Sequence, residues 1–132
     1  MTIDNRLCGV WSSDGSLGNM IDPSTGAIKG SVYNGEWYIF RNNGTFRYVI
    51  IGSGPIIGGE VIVEGNFIAH DGKIVFSDCK ESWCPNPAKT GQKQAYKEKP
   101  IDQAPRTYYL ECTEIMVLRE GGYSQHFYKG PK

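Results

Sequence analysis

Residues 36–51 read EWYIFRNNGTFRYVII, and the fold follows from this stretch. Two aromatic-rich runs, Glu36 to Arg41 and Thr45 to Ile51, flank Asn42-Asn43-Gly44. Asn-Gly between such runs predicts a β-hairpin, because both central residues of a tight primed turn take positive φ, which Asn tolerates and Gly adopts freely. Each run alternates. Tyr38 and Phe40 oppose Trp37 and Ile39, while Phe46, Tyr48 and Ile50 oppose Thr45, Arg47 and Val49. Successive side chains of a strand point to opposite faces, so the ring-bearing face of this hairpin is the one expected indoors.

The same pattern extends in both directions. Glu60 to His70 and Lys73 to Asp78 flank Asp71-Gly72, a second hairpin of the same kind. Leu7 to Ser12 comes first, and Arg106 to Thr113, Ile115 to Arg119 and Tyr123 to Lys129 complete the set, the last two joined around Gly121-Gly122. Val61, Val63, Gly65 and Phe67 alternate with Glu60, Ile62, Glu64 and Asn66. Ile74 and Phe76 alternate with Lys73, Val75 and Ser77, and Tyr108, Leu110 and Cys112 with Thr107, Tyr109 and Glu111. About eight sequential antiparallel strands with one apolar and one mixed polar face predict an all-β, closed up-and-down barrel, since closure removes exposed edges. Gly65 in mid-strand predicts a sharp bend or bulge. Residues 1–132 read as one domain.

Two stretches break the alternation. Ser13 to Gly30 is dense in Gly, Ser, Asp and Asn. Residues 80–106 contain Pro85, Pro87, Gly91, Pro100 and Pro105, so they are expected to be a loop insertion with no long helix or strand. Six basic and three acidic residues give that insertion a net charge of +3. A loop this long in a compact domain is commonly functional. Trp83, Lys93, Tyr96 and Lys97 within it are candidates for a lid over the barrel mouth or a docking patch for an acidic protein partner.

Composition narrows the function. The 132 residues balance 14 basic against 14 acidic side chains, so no global field steers the chain toward nucleic acid or an anionic membrane. The apolar runs Val49-Ile50-Ile51 and Pro55-Ile56-Ile57 are far too short to span a bilayer. Seventeen glycines, nearly double the usual ~7% share, and eight tyrosines suit short strands and tight turns rather than a helical bundle. Met1 to Trp11 lacks the basic start and apolar run of an export leader. A cytoplasmic chain is expected, or an exported one whose leader has been removed. Cys8, Cys79, Cys84 and Cys112 permit free thiols, disulfides or a metal site. Only Cys79 and Cys84 lie near zinc-ligand spacing, without a second pair, which favours free thiols and no metal.

Enzyme signatures are missing. There is no G-x-S-x-G elbow, no phosphate-binding glycine loop and no H-E-x-x-H, and Gly52-Ser53-Gly54 lacks the third glycine of a dinucleotide fingerprint. His70 precedes a turn, and the neighbours of His126 do not fix its facing. Glu60, Glu64 and Glu111 occupy outward strand positions, so no carboxylate pair converges as a glycosidase needs. The chain reads as non-enzymatic and without a cofactor.

Gly9-Val10-Trp11 has the G-x-W form found at the start of lipocalins and other calycins, and Asn43-Gly44-Thr45-Phe46, Gly65-Asn66-Phe67 and Gly72-Lys73-Ile74-Val75-Phe76 resemble the short bacterial lipocalin-like barrels. The resemblance implies that Trp11 plugs the closed end of an eight-stranded barrel and that Arg119 packs over it. It also implies a calyx. The inward set would be Tyr38, Phe40, Phe46, Tyr48, Phe67, Phe76, Tyr108 and Leu110, suited to a small hydrophobic or aromatic ligand with phenol hydroxyls fixing its orientation. An eight-stranded barrel encloses one small ligand or is filled by its own side chains. The alternative is therefore a protein-interaction module with a solid barrel and residues 80–106 as its contact surface.

Overall fold

The computed structural model describes residues 3–13, 21–22, 35–53, 58–85, 97–120 and 122–130. Among the described residues nine strands form one antiparallel sheet: β1 (Gly9–Ser12), β2 (Gly35–Phe40), β3 (Thr45–Ser53), β4 (Gly58–His70), β5 (Lys73–Pro85), β6 (Lys97–Ile101), β7 (Arg106–Cys112), β8 (Ile115–Glu120) and β9 (Tyr123–Lys129). Eight of them close into an up-and-down barrel in the ring order β1-β2-β3-β4-β5-β7-β8-β9, with β9 returning to β1 through Trp11↔Lys129 and Ser12↔Tyr128. The ninth, β6, lies on the later half of β5, where Cys79 to Trp83 pair with Ile101 to Lys97. The expected barrel is there, with one strand more than the alternation announced.

That extra strand corrects the reading of residues 80–106. Strand β5 continues to Pro85, and β6 occupies Lys97–Ile101, so much of the supposed insertion is a hairpin arm. Pro100 is tolerated because β6 hydrogen-bonds through β5 on one flank, and a strand edge can spare an N–H. Trp83 and Lys97 are register partners in this arm. Lys93 and Tyr96, like most of residues 13–30, lie outside the described residues.

Both hairpins form, by different turns. Asp71 and Gly72 take φ of 52° and 76°, as a two-residue primed turn between His70 and Lys73 requires. In the first hairpin only Gly44 is left-handed, at φ 86°. Gly44 N–H donates to Arg41 O at 3.1 Å and Arg41 N–H to Thr45 O at 3.0 Å, so an ordinary turn is followed by a glycine bulge. Asn43 Oδ1 accepts from Thr45 N–H at 3.0 Å and from its hydroxyl, which fixes Asn43 without positive φ. Gly65 sits at a bulge, as expected: the β4–β5 register shifts between Glu64 and Asn66, and Asp78 opposite is left-handed at φ 53°. A second bulge between Leu110 and Cys112 breaks the alternation there and leaves Cys112 exposed.

The main core is the barrel interior. Trp11, Tyr38, Phe40, Phe46, Tyr48, Phe67, Phe76, Tyr108, Met116 and Phe127 are all buried in it. The opposite face of β1–β4 departs from the expected mixed polar surface. Val10, Trp37, Ile39, Val49 and Ile62 form a second buried cluster together with Ile21, so these strands are apolar on both sides.

Candidate functional site

The N-terminal end of the barrel interior is closed. A 3-10 turn, Asn5–Leu7, is capped by the Asp4 carboxylate, which accepts from Arg6 N–H at 3.1 Å. Leu7 is fully buried, and its carbonyl accepts the Trp11 indole N–H at 2.7 Å. The Tyr108 hydroxyl donates to Asp4 at 2.8 Å from the far side of the sequence. The Arg6 guanidinium, at 2.7 Å, holds the Asp4 carboxyl down at about 2, and burial pushes the Tyr108 hydroxyl up to about 12. Trp11, for which the G-x-W resemblance implied a plug, is fully buried in the main core. Its cationic partner is Lys129, whose Nζ lies 5.4 Å from the indole centroid. Arg119 lies instead over Tyr109, at 5.3 Å. The register explains this correction, since Trp11 pairs directly with Lys129, whereas Arg119 pairs with Thr107 and Ser124 on the exposed face.

Rings fill much of the barrel interior. Phe40 meets Phe67 at 4.9 Å between centroids, and Phe46 meets Phe76 at 4.6 Å. Tyr38 stacks on Tyr48 at 4.2 Å and takes Phe127 edge-on at 5.4 Å. Of the predicted lining set, Tyr38, Phe40, Phe46, Tyr48, Phe67, Phe76 and Tyr108 are buried together, and Leu110 is half-buried against them. The three phenol hydroxyls are engaged by the protein itself. Tyr108 binds Asp4, Tyr48 binds Glu36, and Arg106 reaches Tyr38. Burial raises the Tyr48 and Tyr38 hydroxyls well above the usual phenol range, with Arg106 partly opposing the rise at both.

Polar groups and partly buried apolar side chains meet at the other end. Cross-strand rows follow one another along the strands: Gly9↔Phe40↔Phe46↔Gly65, then Trp11↔Tyr38↔Tyr48↔Val63↔Glu81↔Lys99, then Glu36↔Ile50↔Val61↔Trp83↔Lys97. In the last row Ile50 and Val61 are only partly buried. Beside them the Glu36 carboxylate accepts from the Tyr48 hydroxyl and from the Gln125 side-chain amide. Glu81 and Lys99 pair across the arm at 3.8 Å. Glu36 and Gln125 escaped the sequence reading because 89 positions separate them. Their parity with Tyr38 and Phe127 was the available signal. The backbone of Trp83 and Lys97 belongs to this same row.

The remaining candidates stay apart. His126 faces outward and meets Glu111 at 3.1 Å, while His70 lies 3.8 Å from Asp71 on an exposed turn. Among the described residues no group of three or more His, Cys, Asp or Glu is placed to hold a metal ion. Cys8, Cys79 and Cys112 are free thiols, and burial raises those of Cys8 and Cys79 above the usual value. No helix among the described residues is long and apolar enough to cross a membrane.

Fold and site together define a small, closed, antiparallel up-and-down barrel, ring-filled over much of its interior and amphipathic where Glu36 adjoins Ile50 and Val61. Comparison of the chain with family models, with curated proteins and with solved structures finds no match.

Proposed function

We propose that this is a lipocalin-like binding protein that takes a small, ring-bearing, amphipathic molecule at the end of its barrel marked by Glu36, Ile50 and Val61, without catalysis. The observation that carries the reading is the last interior row, where half-buried Ile50 and Val61 adjoin the inward carboxylate of Glu36. Pockets of this kind combine apolar surface with a few placed polar groups. Ile50 and Val61 would cover one face of the ligand, and Glu36, whose oxygens have capacity beyond two hydrogen bonds, would accept from it. The G-x-W plug supports the lipocalin-like part of the reading. The ligand is seated higher than a deep calyx would hold it, because Tyr38, Phe40, Phe46, Phe67, Phe76 and Phe127 occupy the lower interior with one another.

Titration with Nile red, a neutral apolar dye, followed by displacement with a panel of ring-bearing amines and alcohols, tests this. Saturable one-to-one binding is expected, weakened at least tenfold by Val61→Trp, which fills the row. Absence of saturable binding in the folded protein overturns the reading. The same ring packing that raises the ligand favours a second reading, an interaction module with a solid barrel. Its contact surface would be the β5–β6 arm, and charge reversal at Lys97 and Lys99 would then abolish partner capture while leaving dye binding unchanged.

A further inference from the structure

A second concave surface lies on the outside of the barrel, and we propose that it binds a neutral polyhydroxylated molecule of the saccharide class. Its walls are positions of opposite parity to the interior: Thr45 on β3, Glu64 and Asn66 on β4, Lys80 and Ser82 on β5, with Arg41 from the first hairpin and Glu98 from β6. The cleft is shallow and open to solvent, with a volume of about 390 Å³, at the lower end of the range for small-molecule sites. Its origin is the Gly65 bulge. A Cβ there would lie 2.8 Å from Ser77 O and 3.0 Å from Asp78 O and Cys79 Cα, so the position must stay bare, and the two strands bend around it.

The lining chemistry selects the ligand class. The cleft carries both donors and acceptors: Arg41 and Lys80 donate, Glu64, Asp78 and Glu98 accept, and Asn66 and Ser82 do both. Asn66 Nδ2 donates to Asp78 Oδ2 at 3.3 Å, and Lys80 pairs with Glu98 at 3.5 Å, so neither network end is a lone charge awaiting a counter-ion. An apolar ligand would strand these groups. A strongly charged one would meet repulsion from one sign or the other. Hydroxyls donate and accept at once, and a neutral ring carrying several of them can pair with both kinds of group. Asp78 holds its side chain in the cleft through a left-handed backbone, φ 53°, a conformation that Asp and Asn tolerate better than most residues. The strand β6, hidden in the sequence among prolines and lysines, supplies the wall that carries Glu98.

Titration of the isotopically labelled full chain with D-glucose, N-acetyl-D-glucosamine and maltose, read by amide chemical shifts, tests the proposal. The expected result is saturable shifts at residues 64–66 and 78–82 in the low-millimolar range for at least one sugar. Asp78→Asn, which keeps the backbone conformation, should weaken binding about tenfold, as loss of one charge-assisted hydrogen bond predicts. Lys80→Met, away from the strained position, should do the same. No saturable shift overturns the proposal. So do shifts centred elsewhere, unchanged affinity in both variants, or equal shifts from glycine betaine. Dye binding at Val61 is independent of all these outcomes.

Discussion

A methyl group at position 65 would have to fit within 3.0 Å of three backbone atoms of β5, none of which belongs to a flexible side chain. Gly65→Ala should therefore force the bulge apart and cost about 1–3 kcal/mol, the usual scale for overpacking. A fall in the urea midpoint at unchanged slope is the expected measurement. Asp4 carries a different kind of dependence. Its carboxyl is held at about 2 against a usual 3.8, chiefly by the Arg6 hydrogen bond. A carboxyl depressed by folding stabilises fully above its unfolded value, and that stabilisation is lost as pH falls through 3.8 and then 2. Asp4→Asn, which keeps a capping oxygen, should be less stable than the parent at pH 6, with the difference closing by pH 2. A gap that stays constant over that interval would sink the assignment. At Trp11, Lys129→Met should cost about 1 kcal/mol through loss of the cation over the indole.

The hairpins show what local sequence can and cannot announce about an element. Asp71-Gly72 was legible because a two-residue turn with both φ positive leaves few alternatives. Asn43-Gly44 was legible as a hairpin but not in its turn type, which the Asn43 side chain settles by bonding Thr45. Strand β6 was illegible. Its sequence, Lys-Glu-Lys-Pro-Ile, has the charges and proline that suppress edge pairing, and only its neighbour β5 makes it a strand. The outer apolar cluster was half legible, since Trp37, Ile39 and Val49 stood in the alternation as a second hydrophobic face. The polar cluster around Glu36 was least legible, because Glu36 and Gln125 meet only once the ring closes. One-sided pairing has a dynamic consequence for β6. Its amides should exchange with deuterium faster than those of Val61 to Val63 in β4, which is flanked by β3 and β5.

At the scale of the molecule the barrel is held shut by a narrow seam. Strands β1 and β9 share the register pairs Trp11↔Lys129 and Ser12↔Tyr128, extended by Gly130 N–H to Val10 O at 3.0 Å. By contrast, β3 and β4 pair from Thr45↔Asn66 to Ser53↔Gly58. Removing residues 128–132 should therefore lower the thermal midpoint and broaden the transition, with increased dye binding to exposed ring surface. An unchanged melting curve would show that the seam contributes nothing. Because that seam joins β1 to β9, a nascent chain emerging from the ribosome cannot finish its core until β9 has been made. Until then Trp11 waits without its lysine and β1 offers an unpaired edge, which makes translation the stage at which this protein most needs a chaperone.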